Sequence, residues 1–238
     1  MHIRILVGLI LLGGGILLAF LRSYIQYRTS AYFRAMHRAY FLVRLNKGRW
    51  GEYSTYQALR PLKGYKRFLF NCYIPRPDGS TTEVDMILLH ESGIYVLESK
   101  NFRGRIFGNE DQRRWVQSIP LGKGRVHNSY FFNPVRQNQA HLRGLKQYLQ
   151  NGRRLPFFSY VVFGNHCKLK QVRVRSQVHR VLRRKELLRA VESNIRSMGN
   201  SLNKQQIDGL YRYLWPLTQV SRRQKRKHVR QLQKKYKR

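Results

Sequence analysis

The chain has 238 residues, with 47 Lys and Arg against 11 Asp and Glu and a formal net charge of +36. A hydrophobic content of 42% excludes a fully disordered chain. A folded body this basic repels itself unless an anionic partner lies near, so nucleic acid and anionic lipid are the expected partners. Cys72 and Cys167 are far apart and form no C-x-x-C pair, which argues against a disulfide framework or a zinc site.

Residues 1–4 are a short leading segment. Ile5–Leu21 is a run of 17 uncharged residues, at the short end of what spans a bilayer as a helix. Gly13, Gly14 and Gly15 weaken a helix in water but matter less in lipid, where the backbone has no other solution. A cleaved signal peptide is the rival reading, but no small-x-small cleavage site follows the run. Arg4 alone precedes it, whereas Arg22, Arg28, Arg34 and Arg38 follow with no acid among them. The positive-inside rule therefore predicts a single-pass membrane protein with its body in the cytoplasm. Within the basic stretch 22–45, Tyr32, Met36, Tyr40 and Val43 recur at helical spacing. This predicts a juxtamembrane helix that lies on anionic lipid or packs on the domain.

A main domain over 46–165 follows. Its first element is a helix over 46–60 that ends before Pro61. Arg67–Ile74 reads as a strand, and Pro75–Gly79 as a turn. Thr81–Leu89 and Ile94–Lys100 are β-branched, apolar strands joined by His90–Gly93. A glycine-bearing stretch to Gly108 leads to a short strand at Trp115–Ile119. Pro134 opens a helix to about Gln150, and Phe157–Phe163 is a buried-type strand. Over 166–220 the pattern predicts a strand at Val172–Val174 and helices at Arg183–Arg196 and Lys204–Leu214, completing a mixed α/β domain. Ser221–Arg238 holds ten Lys or Arg and no acid, and reads as a solvated basic tail.

Acids are scarce, so their positions are informative. Glu83, Asp85, Glu91 and Glu98 fall in or beside one hairpin. Folded about the His90–Gly93 link, that hairpin places Leu89 opposite Ile94, Asp85 opposite Glu98 and Glu83 opposite Lys100. Strand alternation then predicts Glu83, Asp85, Glu98 and Lys100 on one face. Two carboxylates about 5 Å apart repel by roughly 3 kcal/mol at an effective dielectric near 20. Lys100 compensates in part, and a hard divalent cation such as Mg²⁺ or Mn²⁺ does so better. Carboxylates holding a metal beside a lysine suit phosphodiester hydrolysis, because the metal activates water and neutralises phosphate charge while the lysine stabilises developing negative charge. The alternative is a hairpin whose charges merely pair at a solvent face.

Several strings extend this pattern. Gly48-Arg49-Trp50-Gly51-Glu52 resembles the G-x-x-G-E signature that opens the nuclease-related domain. EVDMILLHESGIYVLESKNFRGRIFG resembles that family's central block, with Trp115 following at a familiar distance. Asn133-Pro134-Val135-Arg136-Gln137 resembles its N-P-x-x-Q helix start. The resemblance covers about residues 46–165. It implies a place in the PD-(D/E)-x-K nuclease superfamily, and so a restriction-endonuclease-like core with a central mixed sheet flanked by helices. It also implies Asp85 and Glu98 as metal ligands, Lys100 as the catalytic lysine, Glu52 as a helix carboxylate completing the metal shell and Gln137 as an assisting residue. Read without it, Glu52 is an acid favoured by the helix dipole and Gln137 a helix-surface amide.

The expected function is therefore that of a membrane-anchored, metal-dependent nuclease, with DNA favoured over RNA as its substrate. A non-catalytic nucleic-acid-binding module and a protein whose charge serves anionic lipid are the alternatives. His127, His141, His166 and His179 show no metal-type spacing. Tyr130-Phe131-Phe132 and Phe157-Phe158 could stack on bases or belong to the core.

Overall fold

A computed structural model describes residues 2–76, 78–150, 155–221, 223–226 and 228–230. Pro77 of the expected turn and residues 222, 227 and 231–238 of the tail lie outside these. The chain forms two compact units, Met1–Asn46 and Lys47–Arg238.

In the first unit, α1 runs over His2–Arg28, past the expected end at Leu21. Its apolar window within Ile5–Arg28 has a mean hydropathy of 2.4 and no buried share, so α1 is long and apolar enough to cross a membrane. A signal sequence near the N-terminus also meets that criterion of length and apolarity. The single helix expected over Tyr32–Val43 is instead two short ones, α2 (Ala31–Met36) and α3 (Tyr40–Arg44). His37 breaks it by adopting φ 48°, ψ 38° as the C-cap of α2. Helical spacing survives the break only in part: Tyr32, Tyr40 and Val43 are buried, Met36 only partly. The Tyr27 hydroxyl donates to the Arg38 carbonyl at 2.8 Å, and the Tyr27 and Tyr40 rings lie 5.4 Å apart.

The second unit opens with α4 (Lys47–Leu59). Strands β1 (Lys66–Pro75), β2 (Thr81–His90) and β3 (Gly93–Lys100) form an antiparallel meander. A smaller set follows, β4 (Gly104–Asn109), β5 (Arg114–Gly122) and β6 (Arg125–Phe132). Next come α5 (Pro134–Tyr148), β7 (Phe157–Phe163), β8 (Cys167–Arg173), β9 (His179–Arg183), α6 (Arg184–Met198) and α7 (Lys204–Leu214). The strands make two mixed sheets, in the orders β1-β2-β3-β7-β9 and β6-β5-β4-β8. In the larger sheet β7 runs parallel to both β3 and β9.

Burial explains why β3 reads as an unbroken apolar run. Ile94, Tyr95, Val96 and Leu97 are all 0% exposed, as a strand covered on both faces requires. Leu142 and Leu145 of α5 with Ile207 and Leu214 of α7 pack against Ile87, Leu89, Ile94 and Val96 on one face. On the other, Tyr56 of α4 meets Phe68 and Phe70 edge-on, and the Tyr160 hydroxyl donates to the Ala190 carbonyl of α6. The smaller sheet closes over a separate core in which Trp115 stacks parallel to Phe163 at 6.2 Å.

The expected Val172–Val174 strand is the end of the longer β8, and β4, β6 and β9 appear where no strand was expected. Of the expected tail, the described residues 223–226 and 228–230 are helical and mostly exposed, with His228 buried.

Candidate active site

The β2–β3 register is the one the hairpin link implies. Leu89 pairs with Ile94, and the ladder runs to Met86 opposite Leu97. There it stops. One residue further on, the Asp85 carboxylate itself accepts from the Ser99 backbone N–H at 2.8 Å. Asp85 and Glu98 therefore meet where the two strands part, with Asp85 partly buried and Glu98 1% exposed.

The expected common face for all four charged residues does not hold. Strict alternation would put Val84 on the face of Met86 and Leu88. Instead Val84 joins Ile87 and Leu89 in the core under α5, and Thr82 reaches His141 of α5. Alternation breaks between Val84 and Ile87. On β1 the position across from Asp85 is Asn71, whose φ is +50°, a conformation Asn tolerates better than most residues. The irregularity sets Glu83 toward Tyr73 and His228, on the wall of a cleft that Asp85 also lines. Its carboxylate accepts from the Tyr73 hydroxyl at 2.5 Å and lies 3.8 Å from His228 Nε2, while Glu98 and Lys100 face α5.

Lys100 Nζ donates to Glu98 Oε1 at 2.6 Å and to Gln137 Oε1 at 3.1 Å. His141 Nε2 lies 3.1 Å from Glu98 Oε2, and its Nδ1 lies 2.6 Å from Thr82 Oγ1. Gln137 and His141 are one helical turn apart, so α5 presents both to the end of β3. Pro134 starts that helix, and Asn133 caps it by accepting from Val135 N at 2.9 Å. The Asn133 amide also donates to the carbonyls of Asn109, Glu110 and Gln112, which ties the helix start to the β4–β5 turn.

Charge at the site is unbalanced. Burial, then the charges of Glu98 and Glu52, hold the Asp85 carboxyl well above the ordinary carboxylate range, against the pull of Lys100 and the Ser99 N–H. Burial also pushes Glu98 up, but the Lys100 charge and the His141 hydrogen bond outweigh it and hold that carboxyl low. Glu52 sits on α4, partly buried, and acts on Asp85 through its charge. Among the described residues, no group of three or more His, Cys, Asp or Glu is placed to enclose an ion by itself. Asp85, Gln137 and His141 line a cleft of about 850 Å³, with Arg76, Arg136 and Arg143 among its walls.

Other motif residues act on structure. A Cβ on Gly51 would lie 2.8 Å from Asn101 Cβ, so this glycine lets α4 approach the end of β3. The Asn101 amide donates to the Lys47 carbonyl at 2.9 Å.

A family model described as the nuclease-related domain matches residues 47–164. The chain belongs to the nuclease-related domain family. Within this nuclease-related domain lie Glu52, Asp85, Glu98, Lys100, Gln137 and His141. An uncharacterized protein of Bacillus anthracis is 30% identical over 191 residues, 80% of this chain and 85% of that relative. No solved structure matches.

Two residues at the site carried no recognised signal. His141 had no metal-type spacing to another histidine, though it stands four residues after Gln137 on the same helix. His228 comes from the basic C-terminal run. It is buried against Tyr73, with its Nδ1 3.0 Å from Thr81 Oγ1, and lines the same cleft.

Proposed function

We propose that this nuclease-related protein is a membrane-tethered, divalent-metal-dependent phosphodiesterase acting on DNA, with a restriction-endonuclease-like core of the PD-(D/E)-x-K type. The observation that carries this reading is the meeting of Asp85 and Glu98 at the opening of the β2–β3 ladder, with Lys100 hydrogen-bonded to Glu98.

The donor chemistry fits a hard cation. Asp85 is disfavoured as an anion by burial and then by Glu98 and Glu52, a conflict that added positive charge relieves. Mg²⁺ is commonly held by one or two carboxylates, with water and substrate phosphate oxygens completing its shell, so a three-residue cage is not required. Asp85 and Glu98 would hold the ion and Glu52 would assist, with Mn²⁺ as the substitute. Such an ion, when bound, neutralises phosphate charge and makes water a better nucleophile.

The protein's own groups do the rest. Gln137 Oε1 and Glu98 Oε1 fix the Lys100 ammonium, which stabilises negative charge developing on phosphate. His141, held by Thr82, orients Glu98. Arg76, Arg136 and Arg143 at the cleft supply phosphate contacts. The apolar α1 serves as a membrane anchor, and the arginines after it keep the body in the cytoplasm.

One observation favours a second reading. Both Glu98 oxygens are engaged, by Lys100 and by His141, which suits a non-catalytic nucleic-acid-binding module. Incubating the full chain with plasmid and linear DNA in Mg²⁺, Mn²⁺ or chelator separates the two. Metal-dependent cleavage supports the enzyme, whereas binding without cleavage under every condition supports the module.

A further inference from the structure

The smaller sheet has a face that the catalytic reading does not use. Its inner side buries Ile106, Trp115 and Cys167. Across its outer side, Tyr130 pairs with Val116, Val116 with Phe107 and Phe107 with Gln171, so one row of side chains crosses all four strands. Tyr130 is 68% exposed, whereas its neighbour Phe131 packs into the core. Arg114 and Arg173 flank the row, and together these residues line a shallow concavity of about 680 Å³. No strand of this sheet contains an Asp or Glu, while Arg105, Arg114, Arg125, Lys168, Lys170 and Arg173 all lie on it.

We propose that this outer face is a binding platform for single-stranded nucleic acid, with Tyr130 stacking on a base and Arg114 and Arg173 contacting the flanking phosphates. An exposed ring on a pleated surface offers a π-face to an unpaired base, and the acid-free sheet supplies the electrostatic track such strands need. A duplex hides its base faces in the stack, so the ring selects unpaired strands. The concavity also ends beside the candidate active site. Asn109 and Gln112 line it, and the next residues of the same turn, Glu110 and Asp111, line the cleft that holds Asp85. Glu110 and Asp111 are themselves engaged by Arg175, which lessens their repulsion of a passing strand. That the platform feeds a strand toward catalysis rests on the proposed nuclease reading. The binding itself does not.

The test is fluorescence anisotropy of labelled dT12, rU12 and a 12-base-pair duplex with the full chain in detergent micelles, in chelator so that cleavage plays no part. Tyr130→Ala should weaken single-strand binding by about five- to a hundredfold, while Tyr130→Phe should retain it. Arg114→Ala and Arg173→Ala should each reduce the slope of log K against log salt by about 0.7 on the single strand. Unchanged single-strand affinity in Tyr130→Ala would overturn the platform, as would an equal loss on the duplex. Either result leaves the nuclease reading standing, because that reading is tested by cleavage in metal.

Discussion

His141 stands between Thr82 and Glu98, with Nδ1 2.6 Å from the threonine hydroxyl and Nε2 3.1 Å from the buried carboxylate. It does not line up with any other histidine in sequence, yet it holds the orientation of a proposed metal ligand. His141→Ala should lower metal-dependent cleavage about 10- to 100-fold and raise the Mg²⁺ concentration needed for half-maximal rate. His141→Gln should recover part of both, since an amide can still reach the carboxylate. Cleavage assays over a Mg²⁺ titration measure this. A fall in rate with no change in Mg²⁺ dependence would mean the histidine is merely structural.

Gly51 and Gly209 should respond to alanine with opposite signs. At Gly51 the new methyl would meet Asn101 Cβ at 2.8 Å, between two packed elements. Gly51→Ala should cost about 1–3 kcal/mol of stability. At Gly209, in α7, nothing lies within 4 Å of an added Cβ, so Gly209→Ala should gain about 0.5–1 kcal/mol. Thermal melts of the two variants beside wild type decide both.

The hairpin geometry was legible because its register depends only on a short link and on apolar strands, and Leu89 does pair with Ile94. The common face was not. Alternation is a local rule, and the break between Val84 and Ile87 comes from tertiary packing under α5, with Asn71 at φ +50° on the neighbouring strand. Strands β4 and β6 escaped for a related reason. RVHNSYFF and GRIFGN are polar or glycine-bearing, and pairing within the smaller sheet holds them rather than a periodic pattern of their own. His37 likewise breaks a helix that its neighbours' spacing favours. The basic C-terminal run reads as solvated by composition, and only the structure shows His228 against Tyr73.

The raised Asp85 pKa has a sign that can be measured. A carboxyl whose folded-state pKa is raised contributes its full stability below the ordinary value of about 3.9 and loses it as pH rises through the raised value. Asp85→Asn keeps an oxygen for the Ser99 N–H but removes the charge. In chelator the variant should melt higher than wild type near neutral pH, with the gap closing as pH falls toward about 4. Mg²⁺ should raise the melting temperature of wild type and not of the variant. A variant that melts lower near neutral pH in chelator would contradict the electrostatic account.

The proposed cytoplasmic topology rests on the arginines after α1. Protease added to intact cells should leave residues 47–238 undigested, and permeabilisation should expose them. Digestion without permeabilisation, or recovery of the chain as a soluble protein shortened at its N-terminus, would point to a cleaved signal sequence instead.

Plasmid cleavage by wild type, Asp85→Ala, Glu98→Ala and Lys100→Ala in Mg²⁺, with DNA binding measured alongside, tests the central claim most directly. Wild type should cut only with a divalent cation. The two carboxylate variants should lose cleavage by several powers of ten, because metal assistance is worth several kcal/mol of barrier. Lys100→Ala should also lose rate. All three should still bind DNA through the remaining basic residues. Wild type that binds DNA as tightly as its variants yet cuts nothing in Mg²⁺ or Mn²⁺ would contradict the enzyme.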